Sequence, residues 1–296
     1  MIFCQFVRLI LGSTGRDLIL AVSIWIVFFL WLSFNIITKE DTNTTKGVLS
    51  RNLVIRHKKN NYFSCVLFCF SMYWGCCFAG EVVRIGLGIV LLFFAMALII
   101  RKRVWLSIFP LVIAAFMHQS TIVFIPGLIL ICFLKRYPNR NKYIMWFFVM
   151  ILADVLIGIT GLFDIQFLIQ VLSRFSYLGF ISRFFEYTNS AAGAYFSSQY
   201  VFYHLLALLL LFGDLESEDY QRITFLYYIG LSLGTVFQKT VIVMRIEWIY
   251  LSVICFAFYY MIRDSKKFTD YTKFAIVSGY GVLQTIMMIR YLGCVW

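Results

Sequence analysis

The chain reads as an all-α polytopic integral membrane protein with about ten transmembrane helices and one longer outer loop. Three observations predict this. Of the 296 residues, 62% are hydrophobic and only 14% are charged, far from the balance of a soluble globular domain. The apolar residues come in long continuous runs rather than in alternation, which leaves helices as the spanning structure, because a hydrocarbon core offers no partner to unpaired backbone groups. The basic residues, which give a formal net charge of +12, cluster between those runs. In a soluble chain such a charge would suggest nucleic acid; here it reports topology, and no nucleic-acid partner is expected.

In chain order, the first stretch, "MIFCQFVRLILGSTGRD", is too short to span and lacks the cleavage pattern of a signal peptide. It is expected to be a re-entrant or interfacial segment, or else the chain lacks a first span. Runs long enough to cross, or nearly so, then follow at residues 18–37, 62–79, 83–100, 104–118, 121–134, 143–161, 200–213, 223–238, 246–262 and 274–290. With no internal repeat and no soluble tract between them, residues 1–296 are expected to form a single transmembrane domain.

The connections fix the orientation. Placing the basic segment 38–61, "TKEDTNTTKGVLSRNLVIRHKKNN", in the cytoplasm puts "RKR" at 101–103, "KRYPNRNK" at 135–142 and the cluster from Arg263 to Lys273 on the same side. Most of the 26 Lys and Arg then lie inside, as the positive-inside rule requires. Segment 38–61 itself is suited to anionic lipid headgroups of the bilayer. The other long connection, 162–199, falls outside. Phe163, Phe167, Val171, Phe175 and Leu178 recur there at helical spacing, as in an interfacial helix, before a tract rich in Ser, Gly, Asn and Tyr. A long ordered outer loop points to the outer face as the working face. The eight cysteines lie mostly within spans, with no His or carboxylate at ligand spacing, and read as packing residues.

Two residues stand out against the apolar background, Arg84 and His118. Helical rise places Arg84 about 26 Å from the inner charge Arg101 and His118 about 22 Å from Arg103, so the two reach similar depth. Lys239, Arg245 and Arg290 each fall roughly 26–27 Å above the inner boundary by the same measure. Against a hydrocarbon core of about 30 Å this is a cationic layer just below or at the outer interface. Span ends whose long side chains snorkel to headgroups would give the same pattern, and for Lys239 and Arg290 that is the expected role. Arg84 differs because Gly88 and Ala95 continue its helix face, a mark of close packing. His118 has Ala114 and Ala115 one turn below it. The hairpin that turns at "HQST" is short for a full bilayer, so its tip is expected in a recess open to the outside, with Pro126 bending the exit helix.

Several cations and one imidazole beside aromatic loops suit a lipid-linked anion, with diphosphate the first candidate. Arginine binds phosphate oxygens with paired donors, and a histidine takes a proton from an attacking hydroxyl. Glu81, Asp164, Glu186 and Glu247 are scattered rather than paired, which favours neutralisation by arginine over a bound divalent ion, with neither metal nor other cofactor. Glu81 or Glu247 could equally pair with Arg84 or Arg245 as structural ion pairs.

At these residues, "VVRIGLGIVLLFFAMALIIRKRVWLSIFPLVIAAFMHQSTIVFIPGLIL" resembles the EpsG-type polysaccharide polymerases, relatives of the Wzy-like O-antigen polymerases. The shared layout is an Arg opening a Gly/Ala-containing span (Arg84), a basic turn ("RKR"), and a span ending in a small residue, an aromatic, His and Ser (Ala115, Phe116, His118, Ser120). A later span opening with Arg and aromatics, "VMRIEWIYLSVICFAFYY", also fits and carries Arg245. The chain departs from the pattern at its start, where "STGRD" is at most a remnant of an outer Asp-Tyr element. The resemblance implies a glycosyltransferase of the bacterial inner (cytoplasmic) membrane with a periplasmic active face. It would move glycan from a polyprenyl-diphosphate-linked oligosaccharide to an acceptor sugar, in a pathway that includes a flippase and a chain-length regulator. On that reading Arg84 and Arg245 hold the diphosphate, His118 activates the acceptor hydroxyl, and Arg174, Arg183, Tyr187 and Tyr195 grip sugars. The alternatives are a membrane O-acyltransferase or ligase acting on surface glycans, or a flippase for lipid-linked sugar. A transporter would show matching repeats with broken helices and a charged path through the midplane, whereas Asp154 and His204 are the main ionisable residues deep in spans.

Overall fold

The computed structural model describes residues 15–38, 83–134, 136–160, 198–236, 247–264 and 268–295. The predicted span 62–79, most of the inner segment 38–61 and most of the outer segment 162–199, with its interfacial helix, lie outside the described residues. All regular structure among the described residues is helical: α1 (Gly15–Thr38), α2 (Val83–Ile100), α3 (Val104–Met117), a 3-10 helix (Gln119–Phe124), α4 (Ile125–Phe133), α5 (Arg140–Thr160), α6 (Ser198–Leu210), α7 (Glu218–Val236), α8 (Ile254–Asp264) and α9 (Asp270–Val295). By length and composition α1, over Leu20–Ile37, and α5 can each cross a bilayer, while Ile85–Ile100, Val104–Met117, Ser120–Phe133 and Val201–Leu210 are shorter apolar helices. The helices group into two compact units, Met1–Cys132 with Ile262–Trp296, and Phe133–Met261.

In the first unit α2 is the centre. It is apolar all round and almost wholly buried from Ile85 to Ile100, the signature of a helix enclosed by others. Helix α1 turns Val22, Ile26, Leu30, Phe34 and Ile37 inward, one helical stripe, and leaves Leu20, Ile24, Phe28 and Trp31 exposed. Phe29 meets Phe94 edge to face at 5.8 Å. The two helices run the same way, because Arg101, just past α2, donates from Nε to the Ile36 carbonyl at 3.0 Å and from its other terminal nitrogen to Ile37. A cation on the last carbonyls of a helix satisfies orphan acceptors and opposes the dipole.

The α2–α3 turn is a Schellman ending: Arg103 N–H donates to Leu98 O and Lys102 N–H to Ile99 O, both at 2.8 Å. Lys102 sits there with φ +59, the left-handed conformation that glycine adopts at least cost. Lys102→Gly is therefore expected to stabilise the protein by about 1 kcal/mol, read as a higher unfolding temperature in detergent; no rise would show that the lysine side chain compensates. Beyond α3 the chain differs from the predicted span 121–134. A 3-10 helix comes first, and α4 starts only at Ile125, with Pro126 in its first turn. Proline is accommodated there because the first turn leaves its amides unbonded in any case, so Pro126 starts the helix rather than bending it. Pro110, inside α3, is the proline in a helix interior.

In the second unit α7 is the enclosed helix, buried from Tyr220 to Thr235 on nearly every side. Asn139 caps α5 by accepting from Lys142 N–H at 3.1 Å. Helix α5 then buries Tyr143, Phe147, Met150, Asp154 and Ile157, a stripe at three- and four-residue spacing, and exposes Met145, Phe148, Leu152 and Ile159. Trp146 reaches across to α7, donating from Nε1 to Ser232 Oγ at 2.9 Å. Helices α6 and α7 are joined by tyrosines: Tyr227 OH donates to Tyr203 O (2.9 Å), Tyr228 OH to Ala207 O (3.2 Å) and Tyr220 OH to Leu210 O (2.5 Å). Gly213 admits the Tyr220 ring, since a Cβ there would lie 2.3 Å from it. The predicted span 246–262 is helical over 247–251, breaks at 252–253 and resumes as α8. Ser252 accounts for the break, turning its hydroxyl back on Ile249 O at 2.9 Å in competition with the helical ladder.

Candidate functional site

Within the first unit, the features flagged by the sequence meet where α3 ends. His118 closes α3 in an extended conformation (φ −157, ψ 126), and its amide still bonds Ala114 O. The same residue caps the 3-10 helix that follows: Ser120 N–H donates to His118 Nδ1 at 3.2 Å, and Thr121 Oγ1 donates to His118 O at 2.7 Å. Because Nδ1 accepts an amide hydrogen, the neutral ring carries its proton on Nε2. Ser120 Oγ lies 2.6 Å from the same Nδ1. His118 and Ser120 are both partly accessible.

Gly88 brings α2 against this bend. A Cβ on Gly88 would lie 2.6 Å from Thr121 Cγ2 and 3.4 Å from Ala114 O. The small face that follows Arg84 is thus a close-packing face, and Ala95 and Ala114 are fully buried. Arg84 occupies the first turn of α2, one turn before Gly88 and so at the end of the helix where His118 sits. The side chain of Arg84 lies outside the described part of the structure, as do Arg245, Arg174, Arg183, Tyr187 and Tyr195.

A second polar group lies inside the other unit, where the sequence offered isolated residues. His204 Nε2 on α6 is 3.1 Å from Asp154 Oδ2 on α5, with the residues 5% and 1% exposed. Glu247, at the start of the helical stretch 247–251, is 6% exposed. It packs on α7 where Gly234 leaves room: a Cβ there would be 2.4 Å from the Glu247 carboxyl carbon. The signal available in the sequence was an Asp and a His, each within about two helical turns of an end of the outer segment. The "GLSLG" spacing, Gly230 and Gly234 on one face of α7, is also a small-residue contact pattern. Among the described residues no group of three His, Cys, Asp or Glu is arranged to hold a metal ion. Cys255 is buried and Cys132 partly so, both as free thiols.

A sequence model of the EpsG family matches residues 47–292. No curated protein and no solved structure matches.

Proposed function

The chain belongs to the EpsG family, and from that membership we propose that it polymerises lipid-linked oligosaccharide repeat units of a surface polysaccharide such as O-antigen. The helices described above are those of a membrane protein, and the family points to polysaccharide biosynthesis. In this proposal the chain crosses the bacterial inner membrane about ten times and works on the periplasmic face. One observation supports the site: Gly88, one turn after Arg84 on α2, packs on Ala114 and Thr121, which flank His118 in the chain.

The chemistry follows from those groups. Arg84 and Arg245 neutralise the diphosphate of the polyprenyl donor, whose anomeric C–O bond breaks as the acceptor hydroxyl attacks. The acceptor proton passes through Ser120 Oγ to His118 Nδ1, which gives up its hydrogen bond from the Ser120 amide as it is protonated. Polyprenyl diphosphate leaves carrying the bonding electron pair, and the new glycosidic bond lengthens the chain. Arg174, Arg183, Tyr187 and Tyr195 hold the sugars, and a flippase and a chain-length regulator of the same pathway are the expected partners.

The test is a gel of surface polysaccharide from a strain deleted for this protein. The expected result is a ladder that collapses to a single repeat unit and returns with the wild-type gene. An unchanged ladder would overturn the polymerase reading, and loss of acetyl groups from otherwise normal polymer would assign the protein to acyl transfer.

A further inference from the structure

The Asp154–His204 pair has no part in the chemistry above, yet its place in the fold is particular. Asp154 lies within two turns of Thr160, the end of α5, and His204 within two turns of Ser198, the start of α6. Those two helix ends flank residues 161–197 within the second unit. The pair joins α5 to α6 by a polar contact at 3.1 Å between two side chains that are almost completely buried. Asp154 belongs to the buried stripe of α5 rather than to its exposed face, so the carboxylate is held inward by the packing of the whole helix.

A lone polar or ionisable group in such surroundings is strongly disfavoured, and a polar partner held in one geometry is what permits it. A buried histidine–carboxyl contact of this kind specifies position better than apolar contact does, because sliding either helix by a turn would leave both side chains without their partner. Glu247, on a third chain segment, packs on α7, the helix that α5 also contacts through Trp146 and Ser232. It sits two residues beyond Arg245, and the absence of a side chain at Gly234 lets its carboxyl lie flat on α7.

We propose that Asp154 and His204 are positioning residues that fix the two helix ends bearing segment 161–197, with Glu247 setting the start of the helix that follows Arg245. This rests on the polymerase reading, in which that segment and Arg245 contact the lipid-linked substrate. The pair itself does not touch the reacting atoms.

The experiment compares wild type, Asp154→Asn, His204→Asn and the exchanged double variant Asp154→His/His204→Asp, each purified into lipid nanodiscs. The substrate is the lipid-linked repeat unit extracted from the deletion strain. Each single variant is expected to raise KM about tenfold with kcat little changed, and the exchanged pair to restore KM. Unaltered KM in the single variants, or a fall in kcat alone, would overturn the proposal. A second readout does not depend on activity: trypsin cleavage at Arg174 and Arg183 in spheroplasts is expected to quicken several-fold in the single variants and to slow again in the exchanged pair. Equal cleavage rates in all four proteins would also overturn it. If the wild type makes no polymer but cleavage responds to the pair, the polymerase reading fails and the positioning role stands.

Discussion

His118→Ala is expected to abolish polymer, leaving a single repeat unit on the surface-polysaccharide gel at unchanged protein level, with a rate at least about 100-fold below wild type. The structure separates a chemical role from a capping role. His118 accepts from the Ser120 amide as the cap of the 3-10 helix, and losing a cap costs about 1 kcal/mol, too little to empty the membrane of folded protein. His118→Asn makes the distinction sharp, since asparagine is among the best capping residues but carries no titratable ring. Polymer absent from both variants would assign the function to the imidazole. Full-length polymer from His118→Asn would reduce His118 to a structural cap. Ser120→Ala, which removes the hydroxyl 2.6 Å from Nδ1 but keeps the amide, is expected to lie between.

Gly230→Ala is expected to be the most damaging of the glycine substitutions in the helical bundle. Its new methyl carbon would lie 2.4 Å from Tyr250 Cβ and 3.4 Å from Leu251 N. Both belong to parts of the neighbouring chain that cannot rotate away, so the helices must separate, at about 3 kcal/mol. Gly234→Ala meets instead the carboxyl group of Glu247, the far end of a side chain that can swing, and is expected to cost less. Gly279→Ala, in α9 with nothing within 4 Å, is expected to be neutral or to gain a few tenths of a kcal/mol from helix propensity. Protein level and unfolding temperature in detergent check the order. Equal effects at Gly230 and Gly279 would mean that the α7 contact is not a close one.

How much of this was legible in the sequence depends on how local its cause is. The bounds of α2 match the predicted run 83–100 because charges close it at one end and the apolar stretch is unbroken. Helices α5 and α9 start about a turn before the predicted runs 143–161 and 274–290, because Asn139 and Thr269, which accepts from Thr272 N–H at 3.2 Å, cap them ahead of the apolar stretch. The late start of α4 and the break at 252–253 were not read, since each turns on which backbone group a single proline or serine engages. The same distinction governs the site. Arg84 and His118 could be placed at similar depth because the short "RKR" turn makes α2 and α3 consecutive and helical rise then measures both from one inner boundary. Asp154 and His204 are separated by the whole outer segment, and helical rise says nothing about which helices touch. Their pairing needed the packed stripe of α5 and the approach of α6.

The tyrosine contacts between α6 and α7 bear on how the protein is made. In hydrocarbon, apolar side chains gain little by leaving lipid for protein, so hydrogen bonds between helices carry more of the pairing. Three phenolic hydroxyls of α7, on Tyr220, Tyr227 and Tyr228, each find a carbonyl of α6, and only a short turn separates the two helices. During biosynthesis α6 therefore gains its companion as soon as α7 emerges, each of these phenols then having a carbonyl to bond. The helix that arrives earlier, α5, then finds a finished surface to dock on, one that already presents His204 to Asp154.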